Sequence, residues 1–268
     1  MAMLIRKTGR NTFSITAESV VKAILWAIEH GVNILSMSFT ISQVSDQATV
    51  QSLIGAINQA VQAGVLIFCS VSDGGAQESS GAYPASCNRS NSFLIGTATA
   101  AGRAWKWNGA GEVDYILPGT DLEVRVGDEL FDGRLKSLCE SGSSLATALA
   151  SGLAALVMDC VALHDPAEFA RLRDRAHAKM KMALDSINTR RYNNPDDDKY
   201  LRVWNTFGKA LGEGRGSDGE KLRFVVDGLM SRVRMEAGPE PAAAGGKGKG
   251  ERGGGGWSSG GLERKVDS

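Results

Sequence analysis

Apolar and polar positions follow two periods along the first half of the chain. Val20, Val21, Ile24, Leu25, Ala27 and Ile28 recur at helical spacing, which predicts a helix with one buried stripe. Thr16 and Glu18 suit its start and Gly31 its stop. The run "VNILSMSF" (32–39) reads as a strand. "QATVQSLIGAINQAVQAG" (47–64) returns to the helical period and ends at Gly64. "VLIFCSVS" (65–72) is apolar almost without interruption, as a strand covered on both faces is. The turn "DGG" follows it. "SFLIGTATA" (92–100) and "VDYILPG" (113–119) add two more strands, and "MLIR" (3–6) a short first one. Strand and helix in alternation predict an α/β fold: a parallel sheet with helices on both faces.

The second half is more helical. Short alternating pieces between 121 and 139 predict a hairpin. Residues 145–157 are apolar nearly all round, so that helix should be buried. Pro166 opens a helix to about 187, with Phe169, Leu172, Ala176, Met180, Ala183 and Ile187 on one face. A short helix is expected over 198–211 with Tyr200, Val203, Trp204 and Phe207 inward, and another over 221–233. From about 236 the chain turns to Pro, Ala and Gly, which predicts a disordered tail.

Composition narrows the functional classes. The 30 basic and 30 acidic residues cancel, so no global charge points to nucleic acid. The run at 145–157 is too short and alanine-rich to suggest a membrane span. The first residues lack the apolar stretch of a signal peptide. Cys69, Cys87, Cys139 and Cys160 show no metal-type spacing and read as reduced thiols of an intracellular, cytoplasmic chain. His30, His164 and His177 are scattered. No metal site and no cofactor is expected.

Chemistry concentrates at "ESGSSLATALASGLAALVMDC" (140–160), where Gly142, Ser143 and Ser144 lead into the apolar helix. A serine there can simply cap the helix. It can equally be a nucleophile beside oriented N–H groups. The pattern Gly-x-Ser-x-Ala is close to a serine-hydrolase elbow but too short to decide.

Five collinear segments resemble a known family. "VVKAILWAIEHGVNILSMSF", "AINQAVQAGVLIFCSVSDGG", "YPASCNRSNSFLIGTATA", "VDYILPGTDL" and "SGSSLATALASGLAALV" are similar, in that order, to the later part of a subtilisin-like serine protease (subtilase) domain. The style is closest to intracellular fungal subtilase-like domains. The resemblance implies a partial subtilisin-like fold containing the later strands over 1–163. A helical extension over 164–235 and the tail 236–268 follow. It makes Ser144 the nucleophile and assigns Ser144 and Asp73 to the oxyanion hole. It makes Ser38, Phe39 and Thr40 the strand that binds a polypeptide substrate as an added strand.

The departures are equally specific. Neither the Asp-Thr/Ser-Gly strand end nor the His-Gly-Thr-His helix of subtilases occurs before Ser144. His30 reads as a helix-end residue. A serine without a base is a poor nucleophile. Asp73 stands where most subtilases carry Asn, and its simpler role is to cap the turn before Gly74 and Gly75. Ala148 replaces a proline, and Thr40 a glycine. The expected function is that of a serine endopeptidase family domain inactive as given, or a non-catalytic peptide-binding module or scaffold. An N-terminal segment supplying earlier strands is the expected partner, because the strand near Met3–Arg6 would otherwise be an unpaired edge.

Overall fold

The computed structural model describes residues 6–8, 12–41, 44, 46–75, 83–109, 112–126, 136–187, 199–212 and 216–236. A small antiparallel pair comes first, β1 (Arg6–Thr8) with β2 (Thr12–Ser14). Helix α1 (Ala17–Glu29) follows, with Thr16 and Ser19 forming a reciprocal capping box and Gly31 in the left-handed region at φ +64°. Strand β3 (Ile34–Met37), helix α2 (Gln47–Gln62) and strand β4 (Leu66–Ser70) come next, with Gly64 at φ +74° ending α2. Strands β5 (Ser92–Ala98) and β6 (Tyr115–Pro118) complete the sheet, and β7 (Leu122–Val126) and β8 (Lys136–Glu140) form the antiparallel hairpin.

β3, β4, β5 and β6 lie side by side in that order, all parallel. Their alternating side chains divide the interior. Leu66 and Phe68 of β4, and Phe93 and Ile95 of β5, pack on the face of helix α3 (Ser143–His164). Ile67, Cys69 and Leu94 point to the other face, onto α1 and α2. This is the α/β fold with helices on both faces that the pattern predicts. Helices α4 (Pro166–Arg173), α5 (Ala176–Ile187), α6 (Phe207–Gly212) and α7 (Asp218–Glu236) follow, and α5 and α7 contribute Met180, Leu184, Val226 and Leu229 to the same core as α3.

Several expectations need correction. Of the strand expected over 3–6 only Arg6 lies within the described residues, where it begins the separate β1–β2 pair; β3 and β6 are the edge strands of the described four-stranded sheet. The helix expected over 166–187 is two, because Arg175 adopts φ +56° between α4 and α5. In the 198–211 segment only Phe207–Gly212 is α-helical. Trp204 is 55% exposed rather than inward. It borders an apolar groove of about 400 Å³ whose walls include Leu149, Leu156, Leu201 and Val203. Helix α3 is neither short nor buried all round. It runs 22 residues and is long and apolar enough to cross a membrane, yet half of that stretch is buried in the fold. Leu149, Leu156 and Leu163 lie on its exposed face. The expected tail beyond 236 lies outside the described residues.

Candidate active site

Parallel strands deliver their C-terminal ends to one edge, and ligand sites of open α/β sheets form there. Here the ends of β3, β4 and β6 all reach the N-terminus of α3. From β3, the Ser38 hydroxyl donates to the Ser144 carbonyl at 3.1 Å, and the Ser144 hydroxyl donates back to the Ser38 carbonyl at 2.9 Å. From β4, the Val71 carbonyl accepts the Ser143 hydroxyl at 2.6 Å. Beyond β6, the Gly119 carbonyl accepts the Gly142 N–H at 2.8 Å. A methyl group on Gly119 would meet the Gly142 carbonyl at 2.9 Å, so this approach requires glycine.

Asp73, two residues beyond Val71, turns toward the same helix end. Both of its carboxylate oxygens accept the Ser143 N–H, at 3.0 and 3.1 Å. The turn at Gly74 is instead held by Ser72, whose hydroxyl accepts the Gly74 N–H at 3.2 Å. Neither serine caps α3. The N-cap is Gly142, and the negative charge comes from Asp73, 70 residues away. A carboxylate at a helix N-terminus is favoured by the unsatisfied N–H groups and the dipole. Ser144 is exposed, whereas Ser143 is buried.

A ladder of hydroxyls continues along α3. Thr147 donates to the Ser143 carbonyl at 2.8 Å and Ser151 to the Thr147 carbonyl at 2.6 Å. Ser151 and Ser36 of β3 lie 2.7 Å apart, oxygen to oxygen. Sequence reading missed this ladder, although the i, i+4 spacing of Ser143, Thr147 and Ser151 signals it.

Of the strand residues singled out for substrate, Ser38 is half-buried and Thr40 exposed, while Phe39 packs against the core on the α1–α2 face. The next residue, Ile41, is already paired with Tyr83, by bonds of 2.8 and 3.2 Å. What faces outward at 38–40 is therefore backbone, Ser38 and Thr40. Ser38, Asp73 and Ser144 are brought together, and Phe39 turns away from them.

The three histidines lie elsewhere. His30 is the C-cap of α1, where its ring stacks on Trp26 at 3.9 Å and its Nδ1–H donates to the Trp26 carbonyl. His164 ends α3, about 30 Å along the helix from Ser144. His177 packs tilted against Phe93, ring centres 4.3 Å apart, near the start of β5 and so at the opposite edge of the sheet. Burial, above all, holds its imidazole below the usual histidine range. The cysteines are free, and burial pushes the Cys69 thiol up to about 12 and the Cys87 thiol up to about 11, away from thiolate chemistry. No group of three or more metal-ligating side chains occurs among the described residues.

Ser144 stands at a helix N-terminus on the carboxyl edge of a parallel sheet, and a model of the subtilase family matches residues 2–196. The chain belongs to the subtilases. Among solved structures, this subtilase is similar to the prenylagaramide maturation protease PagA, with 17% identity over 83% of this chain and 71% of that one, at a TM-score of 0.50. It is similar also to the self-cleaved protease domain of PatA, with 18% identity over 81% and 69% of the two chains and a TM-score of 0.51. A lanthipeptide protease gives 15% identity over 71% and 65%, at 0.50. At such identities the likeness is one of fold. No curated protein matches.

Proposed function

We propose that this subtilase handles polypeptides along its carboxyl edge, binding an extended segment against Ser38–Phe39–Thr40 with Ser144 in the attacking position. The observation that carries this reading is the exposed Ser144 hydroxyl, held 2.9 Å from the Ser38 carbonyl at the N-terminus of α3. A peptide adding as a strand needs such main-chain acceptors, and displacing the hydroxyl would free this one. The Ser144 N–H, at the positive end of the α3 dipole, would stabilise an oxyanion. Asp73 supports the site by fixing the preceding N–H.

We propose further that the chain by itself binds peptides without cutting them. Attack by a serine requires a base to take its proton. Ser144 donates instead to a carbonyl, which is not a base, and none of the three histidines adjoins it. The activity of the family, serine endopeptidase cleavage, would then need an imidazole and a carboxylate from elsewhere. The test is a peptide panel assayed for binding and for hydrolysis with the full chain and with Ser144→Ala. Binding with no hydrolysis dependent on Ser144 is expected. Cleavage lost in Ser144→Ala would overturn the inactive reading, and absence of any peptide binding would overturn the site.

A further inference from the structure

The apolar groove beside α3 has one wall on that helix, with Leu149 and Leu156, and the other on residues 199–204, with Val203 and Trp204. Leu117 and Leu153 line it from the core. The second wall is fixed to β6. The Lys199 carbonyl accepts the Ile116 N–H at 2.8 Å, and the Ile116 carbonyl accepts the Leu201 N–H at 3.3 Å. Those bonds occupy the outer edge of Ile116, so no strand adds there. What the groove offers a partner is apolar side chains. Leu149 and Leu156 are 46% and 44% exposed. They stand seven residues apart, two turns along one line of the helix, with Gly152 between them. No charged residue occurs in α3 before Asp159, which is exposed.

Two features of this line select its occupant. The line is self-complementary. An antiparallel copy of α3 sets Leu149 of each chain against Leu156 of the other about one two-fold axis, and Gly152 lets the backbones approach. The line is also electrically directed. Asp159 stands toward one end and the positive N-terminus of α3 at the other, so antiparallel pairing brings each carboxylate to the partner's helix start. A parallel pair would oppose the two carboxylates instead. We propose that this groove is the interface of a two-fold dimer of the chain, in which Leu149 and Leu156 of each copy seat against those of the other beside Trp204. The helix turns its hydroxyls toward β3 and the groove toward β6. The dimer therefore does not depend on the peptide-binding reading of the carboxyl edge.

The experiment is sedimentation equilibrium of the full chain across a dilution series. Reversible association to twice its 28.3 kDa is expected. Leu149→Lys and Leu156→Glu each put an unpaired charge into the seam and should weaken association at least roughly thirtyfold. Both positions are exposed within one chain, so circular dichroism should show each variant folded. Leu156→Ala, a milder change, should weaken association several-fold and keeps the test open if a charged variant does not fold. Mixing the two charged variants decides the register. Antiparallel pairing sets the ammonium of one chain against the carboxylate of the other and keeps one leucine pair, so the mixture should regain the dimer. A parent that stays monomeric or forms other assemblies, variants that associate as the parent does, or a mixture that stays monomeric would each overturn the inference. The first of these results would leave the groove to a different protein.

Discussion

The Asp73 carboxylate accepts the backbone N–H of Ser143 through both of its oxygens, at 3.0 and 3.1 Å. A side chain from a strand end thus does for α3 what a local Ser or Asp does for most helices. Replacing it should cost about 1–2 kcal/mol in Asp73→Ala, and clearly less in Asp73→Asn, which keeps an acceptor oxygen but loses the charge. Urea denaturation of the three proteins measures the order. Equal stability of Asp73→Ala and the parent would show that the contact does not support the helix.

The adjacent serines should separate by stability. Ser143 is buried, and Ser143→Ala leaves the Val71 carbonyl without its 2.6 Å partner, at an expected cost of about 1–2 kcal/mol. Ser144 is exposed, so Ser144→Ala should stay within about 0.5 kcal/mol of the parent. Denaturant midpoints decide this, and the reverse ranking would contradict the assignment of the two roles.

His177 should make stability depend on pH. Burial disfavours its charged form, as do Lys181 and Arg89, while Asp114 partly opposes them. The unfolded chain therefore binds a proton at higher pH than the folded one. The contribution is complete above about pH 6.5, the unfolded value, and is lost as pH falls through the window down to the lower folded value. Denaturation at pH 7.5 and 5.5 should show a loss that is much reduced in His177→Met. An unchanged pH slope in the variant would assign the loss to other groups.

Arg89 locks the entrance to β5. Its guanidinium donates to the Asp114 carboxylate at 2.7 Å and to the carbonyls of Ser92 and Glu112 at 3.1 and 2.6 Å. Asp114 also accepts the Leu94 N–H at 2.8 Å. With Arg89 partly exposed, Arg89→Met should cost about 2 kcal/mol. Arg89→Lys should recover only part of it, since an ammonium lacks the planar fork. Full recovery by lysine, read from thermal midpoints, would mean that charge alone matters.

Much of the fold can be read along the chain because local signals and tertiary demands agree there. Leu66–Ser70 is apolar and buried throughout, and Gly31 and Gly64 stop helices in the one backbone region that favours glycine. The misreadings occur where residue type is silent. Nothing in "LRDRAH" marks the break at Arg175, a non-glycine residue at positive φ. Leu149 and Leu156 are chemically identical to the buried Leu153, so only the absence of a covering element distinguishes them. At the site, Ser144 and its strand neighbours follow from linear segments. The reach of Asp73 across 70 residues to Ser143 does not, because no local pattern encodes a contact between a strand end and a distant helix.

Small residues such as Ala146, Ala150 and Ala154 on the sheet-facing side of α3 constrain its angular setting less than large interlocking side chains do. The Ser143 bond to the Val71 carbonyl and the Ser151–Ser36 contact remove that freedom, for a roll of one residue breaks both together. The two sides of α3 therefore stand under unequal mutational constraint. Ala148, Leu149 and Gly152 can drift with little penalty to the fold. The hydroxyl side must change in concert or not at all, because the angular setting of the helix, and with it the aim of Ser144, is stored there.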